Sequence, residues 1–492
     1  NIGGSVTGNG TITGTTNVLT SGVIAPGNSP GLMVFDDLNV GAGGSFNMEI
    51  IGAGTGGVDF DQVVVNHNLT INNGATLNVV KYGTRELAMG EAVKVLSFAP
   101  GAVSGEFGTV TSTFGDDVIF SVATGSVVGL GGVSTQDFVA HVAHTRNQQA
   151  MINAFNVGSN GGVTQFYGGE LLSRLAAAYG DVGATDGVFA RSSPEAYASL
   201  IDQARVTVLD NHVDLPLNTA QAQRGVSLAY DNGRHTTDNS SAWAEYKLKR
   251  QNTKLQGTLP YDGGAIVLGL TIDNREIDSD YLNGDTDGET IAVGVAHALP
   301  ATGFTVLAHV DAMRQSSDLK RQTNSGISEA KNIDGDGWSA GIGIGHHRKI
   351  GETEVEAAIE VLHFDTSVDS IVEDNTQPLD TLQVEKQENS GSAVKASAGA
   401  TFDIQQNLAV GVKLSYLSEL GSDDRKIVGR IPVEVQSFTV ENPGLGNSVL
   451  GLDASVSYVP AKDWNISLTA GVSGEKSLGD DFGSELKVGF AF

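Results

Sequence analysis

Hydrophobic and polar positions alternate most cleanly in the second half of the chain. In Ala265–Ile272, Ile266, Leu268, Leu270 and Ile272 form one face, and Ala265, Val267, Gly269 and Thr271 the other. Val355, Ala357, Ile359 and Val361 oppose Glu356, Ala358 and Glu360, and Leu408–Tyr416 sets its aliphatics against Ala409, Gly411, Lys413 and Ser415. Val394–Phe402 and Leu450–Tyr458 repeat the pattern, with Lys395 and Asp453 in their polar sets. A period of two marks strands with one apolar face. The runs are about ten residues long, which lets a tilted strand cross the hydrocarbon of a bilayer. Their connections alternate. Pro300–Gly303, Ile350–Glu352, Asp403–Asn407 and Pro460–Asp463 are short, whereas about 275–287, 316–336, 366–390 and 421–447 are long and polar or acidic. Short turns at one rim and long loops at the other are the outer-membrane arrangement, and a soluble sandwich has no reason to sort its loops so. The pattern predicts a barrel over 241–492 of twelve strands, near 241–251, 253–262, 264–274, 288–299, 304–316, 338–349, 353–365, 392–402, 408–419, 448–459, 464–475 and 484–492. An alternative begins the barrel at Gly225–Tyr230 and assigns 253–262 to a loop.

Residues 1–133 read differently. Short runs such as Gly31–Phe35, Gln62–Val65, Asn68–Ile71 and Val118–Phe120 are broken by Gly and Asn turns, and similar units recur about every twenty residues. Stacked rungs of a β-solenoid produce this pattern, each burying its inner face on the next. A β-sandwich is the alternative. Residues 134–212 turn helical. Gln136–Asn153 has helical spacing, Glu170–Tyr179 is rich in Leu and Ala, and a third helix is predicted over 194–210. Ser193 is its N-cap, Pro194 its first residue and Glu195 an acid in its first turn. Residues 213–240 read as a connector.

Composition narrows the class. The chain has no cysteine, which excludes a disulfide scaffold and thiolate zinc. A net charge of −28 argues against nucleic acid as a partner. No apolar run reaches the length of a spanning helix, but strands that alternate faces average to ordinary hydropathy. The chain opens on Asn1 with no leader pattern before the first repeat, so the sequence is expected to begin inside a longer or processed protein.

Chemistry is sparse. The sequence contains no phosphate loop and no His-Glu-x-x-His. His346 and His347 are adjacent on a strand and so point to opposite faces. Asn332–Gly337 begins like a calcium loop, but its twelfth position is Gly343 rather than Glu. Asp278, Asp280, Asp285 and Asp287 read as a solvated acidic loop. No enzyme, metal or cofactor is expected in this chain.

Three sets of residues, taken in order, carry a resemblance. Pro26, Gly27, Asn28, Ser29, Pro30 and Gly31 resemble an element of passenger-associated transport repeats. Asn147–Ala150 and Ser193–Leu200 resemble a helical junction before a barrel. The chain ends on Leu486, Val488, Phe490 and Phe492, a terminal-strand pattern like that read by the barrel-assembly machinery, with Lys487 where many members place Gly. Together they resemble a classical monomeric autotransporter of type V secretion. The resemblance implies an all-β fold with a helical junction: a right-handed parallel β-solenoid stub of the passenger, then a transmembrane barrel with a helix in its lumen. It further implies that the barrel secretes and anchors its own passenger, and that the stub templates folding outside like an autochaperone. The implied setting is outer-membrane lipid in a Gram-negative bacterium, with periplasmic chaperones as partners and a host or cell-surface ligand for the missing upstream passenger. In this reading Glu356, Glu360, Lys395, Lys413 and Asp453 face the lumen. Asp202 and Arg205 lie on the pore helix, and Arg205 is expected to meet an inward acid such as Glu356 or Glu360. The sole Asn-Asn, Asn72-Asn73, lies in the solenoid, so release by asparagine cyclisation in a lumenal helix is not expected. A surface adhesin and a barrel enzyme with residues at its rim are the competing functions.

Overall fold

A computed structural model describes residues 1–99, 101–160, 162–210, 213–236, 246–374, 380–420, 425–432, 436–442, 448–475 and 479–492. Ser5–Gly8, Val23–Pro26, Ser45–Ile50, Thr76–Lys81 and Thr109–Ser112 stack in parallel as one sheet of the N-terminal unit. Gly10–Val18, Leu32–Val40, Gln62–Val65, Leu69–Ile71, Leu96–Ser97 and Val103–Gly105 form the second, also in parallel. Parallel stacking is that of a solenoid rather than a sandwich. The repeat near twenty residues holds only for the first rungs. Ser45 pairs with Thr76 and Thr76 with Thr109, so the later rungs carry longer loops. Alternate residues such as Phe35, Leu38, Phe46 and Met48 are buried. Outward asparagines ladder between rungs, Asn39 Nδ2 donating to Asn17 at 3.0 Å and Asn78 Nδ2 to Asn47 at 2.7 Å.

The Pro26–Gly31 turn is packed backbone on backbone. Gly27 has φ 74°, and a Cβ on Gly27 or Gly31 would collide with the other residue's backbone. Gly31 N donates to Asp61 Oδ1 and Leu32 N to Asn9 Oδ1, both at 2.7 Å, so the rungs on either side stitch the turn in place. An antiparallel hairpin, Val118–Ser121 with Ser126–Gly129, closes the solenoid end.

The described residues of the junction form five α-helices: α1 (Thr135–Val142), α2 (Arg146–Phe155), α3 (Gly169–Ala177), α4 (Val182–Ser192) and α5 (Ala198–Asp210). The single helix predicted over Gln136–Asn153 is therefore two, because Thr145 forms a capping box with Gln148 and starts α2 afresh. Helix α4 was not legible, since Gly183 and Gly187 dilute its pattern. Pro194–Tyr197 is a 3₁₀ turn leading into α5.

The barrel closes with twelve antiparallel strands: β1 (Gly225–Thr236), β2 (Tyr246–Tyr261), β3 (Gly264–Ser279), β4 (Leu282–Ala298), β5 (Phe304–Gln322), β6 (Ile327–Ile350), β7 (Thr353–Val368), β8 (Gln387–Gln405), β9 (Leu408–Leu420), β10 (Ser448–Tyr458), β11 (Trp464–Glu475) and β12 (Gly479–Ala491). The barrel begins at Gly225, inside the segment read as a connector, and the strands read at 241–251 and 253–262 are one strand, β2. Two stretches read as loops, 275–287 and 316–336, are mostly strand. The outward face of β5 is apolar through Ala312, then continues as Arg314, Ser316, Asp318 and Lys320. Beyond the apolar belt the outside faces water and the apolar alternation stops, while the ladder continues. The strands thus rise into a collar, whose inward Ile277, Leu282, Leu319, Ile333 and Val368 share one core with Phe189, Tyr197, Leu200 and Ile201 of the junction. Above it, Ile371–Val372, Gln383–Val384, Arg425–Arg430 and Ser437–Asn442 form a small sheet.

Candidate functional site: an occupied barrel lumen

No helix among the described residues is long and apolar enough to cross a membrane; the barrel strands carry the apolar surface. Ile266, Leu268, Leu270 and Ile272 on β3 and Ile291, Val293 and Val295 on β4 point outward and are exposed. Tyr261, Phe304, Phe402, Tyr458, Trp464 and Phe490 ring the short-turn rim, the position of an interfacial aromatic girdle.

Inside, α5 is buried along its length, against β5, β6, β7 and β8. Small residues along it let the helix approach the wall, and charged side chains hold it from several directions. Arg205 forms an ion pair with Glu419 on β9, both about nineteen-twentieths buried. Arg275 on β3 donates to Gln203 O at 3.2 Å and pairs with Asp273 at 2.5 Å. Arg250 on β2 reaches Asp210 at 3.1 Å. Arg205 thus meets an inward acid as expected, but the acid is Glu419 and neither Glu356 nor Glu360. Glu419 lies near the outer end of β9, where α5 enters, on the same face as Lys413, so continuing that face by two-residue steps would have found it. Asp202 is buried on α5.

Glu356, Lys395, Lys413 and Asp453 line one cavity of about 580 Å³ beside the helix. Glu360 lies opposite Lys395 in register and packs over Gly343. Residues 213–217 lie lower in the lumen. Asp214 N donates to Gln256 Oε1 at 2.9 Å, Gln256 Nε2 donates to Asp214 O at 3.2 Å, and Lys487 bridges to Asp214 at 2.6 Å. Lys487, the departure at the terminal strand, thus holds the descending chain. Nothing in the sequence pairs positions so far apart.

At the collar, Arg321 grips Glu373 with two bonds, Nε to Oε1 at 2.5 Å and Nη2 to Oε2 at 2.7 Å. Tyr197 Oη donates to Glu373 at 2.6 Å, and Arg174 on α3 pairs with Asp380 at 2.6 Å. Asn147 exchanges two bonds with the Glu441 backbone, each 2.8 Å. These contacts fasten the junction to the barrel's outer rim. Sequence reading missed Arg321 and Glu373, whose pairing depends on the collar.

Pro26, Gly27, Asn28, Pro30 and Gly31 form the stitched turn of the solenoid. At the other end, Leu486, Val488 and Phe490 share one face of β12, with Phe490 5.0 Å from the Trp464 ring centre and Phe492 N bonded to Arg224 O at 2.8 Å. His346 faces outward against Phe304, while His347 pairs with Glu354. Among the described residues no cluster of metal-ligating side chains occurs.

A closed twelve-stranded barrel with an apolar belt and its own chain threaded through the lumen defines an outer-membrane translocator. The family model of the autotransporter beta-domain matches residues 226–471, half of the chain, and the chain belongs to that family. It is an outer-membrane translocator for a passenger domain, in a lipid environment, and one chain closes the barrel. No curated protein matches at the level of sequence. Among solved structures, the chain is similar to the translocator domain of the autotransporter NalP from Neisseria meningitidis (11% identity, 62% of this chain and 99% of that one, TM-score 0.48). It is also similar to the transport unit of the autotransporter AIDA-I from Escherichia coli (13% identity, 61% and 99%, TM-score 0.42). A third is the beta domain of the Bordetella autotransporter BrkA (13% identity, 55% and 100%, TM-score 0.40).

Proposed function

We propose that this translocator displays its solenoid on the surface of a Gram-negative cell and keeps it attached. The observation that carries the reading is the path of the chain. The solenoid and α1–α4 lie beyond the collar, α5 occupies the lumen, and residues 213–217 descend to the short-turn rim where β1 begins at Gly225. A chain on that path has its N-terminal part on one side of the membrane and the start of its barrel on the other. Stacking rungs outside buries apolar surface, which favours outward movement without a nucleotide. The solenoid end, fastened through Asn147, Arg174 and Tyr197, is the template on which further rungs fold. The barrel-assembly machinery reads Phe492 and its neighbours after periplasmic chaperones deliver the chain. The chain itself carries no catalysis, and its passenger is not released by asparagine cyclisation, because Asn72 and Asn73 lie in the solenoid.

Protease treatment of intact cells expressing the chain tests this. The solenoid should be digested while a barrel-sized fragment survives. Digestion only after the outer membrane is permeabilised would sink the proposal, and spontaneous release of the solenoid would remove the retention.

A further inference from the structure

The two sides of the lumen differ in chemistry. The charged cavity is lined from β7 round through β12 to β1 and β2, where Asp231, Arg250 and Lys254 join it. On the β3–β6 side, beside the inward Arg275–Asp273 and His309–Asp311 pairs, the wall is small at Gly269, Ala292, Gly294 and Gly345, and a chain segment is seated there. Val213, Leu215 and Leu217 all face this wall. A Cβ on Gly269 would stand 2.7 Å from Val213, and one on Gly294 2.7 Å from both Val213 and Leu215. A Cβ on Gly345 would collide with Leu217. Val213 packs with Val267 and Ala292. The glycines are therefore slots for the side chains of alternate residues, while Asp214, between two of them, points across to Lys487.

The backbone of the segment is held as a neighbouring strand would hold it. The buried Gln256 amide donates to Asp214 O and accepts from Asp214 N, and Thr305 Oγ1 donates to Leu217 O at 2.8 Å. Contacts to main chain together with pockets for alternate side chains are how extended peptides are recognised with little regard to sequence. The requirement is an aliphatic residue at every second position. The passenger strands have that spacing in Val63 and Val65, Leu69 and Ile71, and Leu77 and Val79.

We propose that the inner wall of β3–β6 is a binding track for extended polypeptide. The passenger moves along it with alternate aliphatic side chains in the slots that Val213, Leu215 and Leu217 fill when export is complete. The charged cavity opposite gives room to the polar side chains of the moving strand. This inference rests on the surface-export reading and names what the lumen recognises during export.

The test follows the full chain in cells by pulse-chase, reading surface arrival by protease digestion and barrel assembly by heat-modifiable gel mobility. Gly294→Leu fills a slot and should slow surface arrival at least tenfold, with assembly intact. Ala308→Leu, on the outward face of β5, should export at the unmodified rate. Because the chain has no cysteine, engineered pairs provide a second readout that does not depend on how the filled slot folds. During the pulse, Val79→Cys should form a disulfide with Ala292→Cys at least tenfold more than with Ser415→Cys. Equal cross-linking to both walls would overturn the track, as would normal export by an assembled Gly294→Leu barrel; either leaves the export reading standing. Failure of the unmodified passenger to reach the surface would overturn both.

Discussion

Single residues set the grip on the lumen helix. Arg205 and Glu419 are buried together, and neither is stable there alone. Removing one partner of such a pair costs about 3–5 kcal/mol. Arg205→Ala should therefore destabilise the seated helix by that order and raise the frequency of large openings in planar-bilayer recordings. Adding Glu419→Gln should reverse part of the effect, since it removes the stranded charge. Unchanged recordings for Arg205→Ala would count against the clasp. In the solenoid, burial pushes the Asp61 carboxyl up to about 6, against the lowering effect of the Gly31 and Glu49 amides that donate to it. Its folded pKa lies above the ordinary carboxylate value, so the folded chain holds the proton more tightly than the unfolded one. The stability it contributes is complete below about pH 4 and is lost as pH rises through about 6. Melting of the solenoid should move upward between pH 7.5 and pH 5, and Asp61→Asn should flatten that window. Glu356, Lys395, Lys413 and Asp453 were legible as lumen residues because strand parity alone assigns a face. The partner of Arg205 was not, because it depends on how deep the helix sits.

Elements show why the helices sit where they do. Helix α5 is buried over most of its surface, with Val206 and Asp210 towards the cavity, and its apolar contacts begin with the collar above the membrane belt. Deleting 194–210 should raise pore conductance toward that of an open twelve-stranded lumen, and an unchanged conductance would remove α5 as the plug. The junction above it is latched rather than loosely linked. Arg321→Met strands the buried Glu373 carboxylate, at a similar cost of about 3–5 kcal/mol. Limited proteolysis should then cut within 134–192 sooner than in the unmodified protein, with the barrel fragment itself unaffected. The strands, too, are longer than their apolar faces. Reading alternation ended β3 and β5 where the outward residues become polar, although the backbone ladder continues to Ser279 and Gln322.

For the molecule as a whole, closure is the organising constraint. In lipid every backbone donor and acceptor must be paired within the protein, and joining β1 to β12 leaves no edge. Gly225 pairs with Ala491 and Leu228 with Val488 along that seam. The folded barrel should migrate faster than the boiled one on a gel in mild detergent. Substituting Phe490 and Phe492 together with Ser should reduce the amount of that fast form at the outer membrane, while the unfolded chain accumulates. The acidity of the chain is divided between a solenoid nearly free of bases and the outer face of the collar, both of which meet water.

The sequence by itself determined the class of architecture. Period-two strands, the sorting of short and long connections, Gly and Asn turns at rung spacing, and a capped helix between them are local properties, and each is written within a few neighbouring residues. The tertiary structure alone decided which strand closes the barrel, how far the strands rise above the belt, and that Arg205 meets Glu419. It also decided that residues 213–217, read as part of a connector, lie in glycine slots on one wall. Those facts depend on contacts between residues far apart in sequence, and closing the barrel around its own chain is what brings them together.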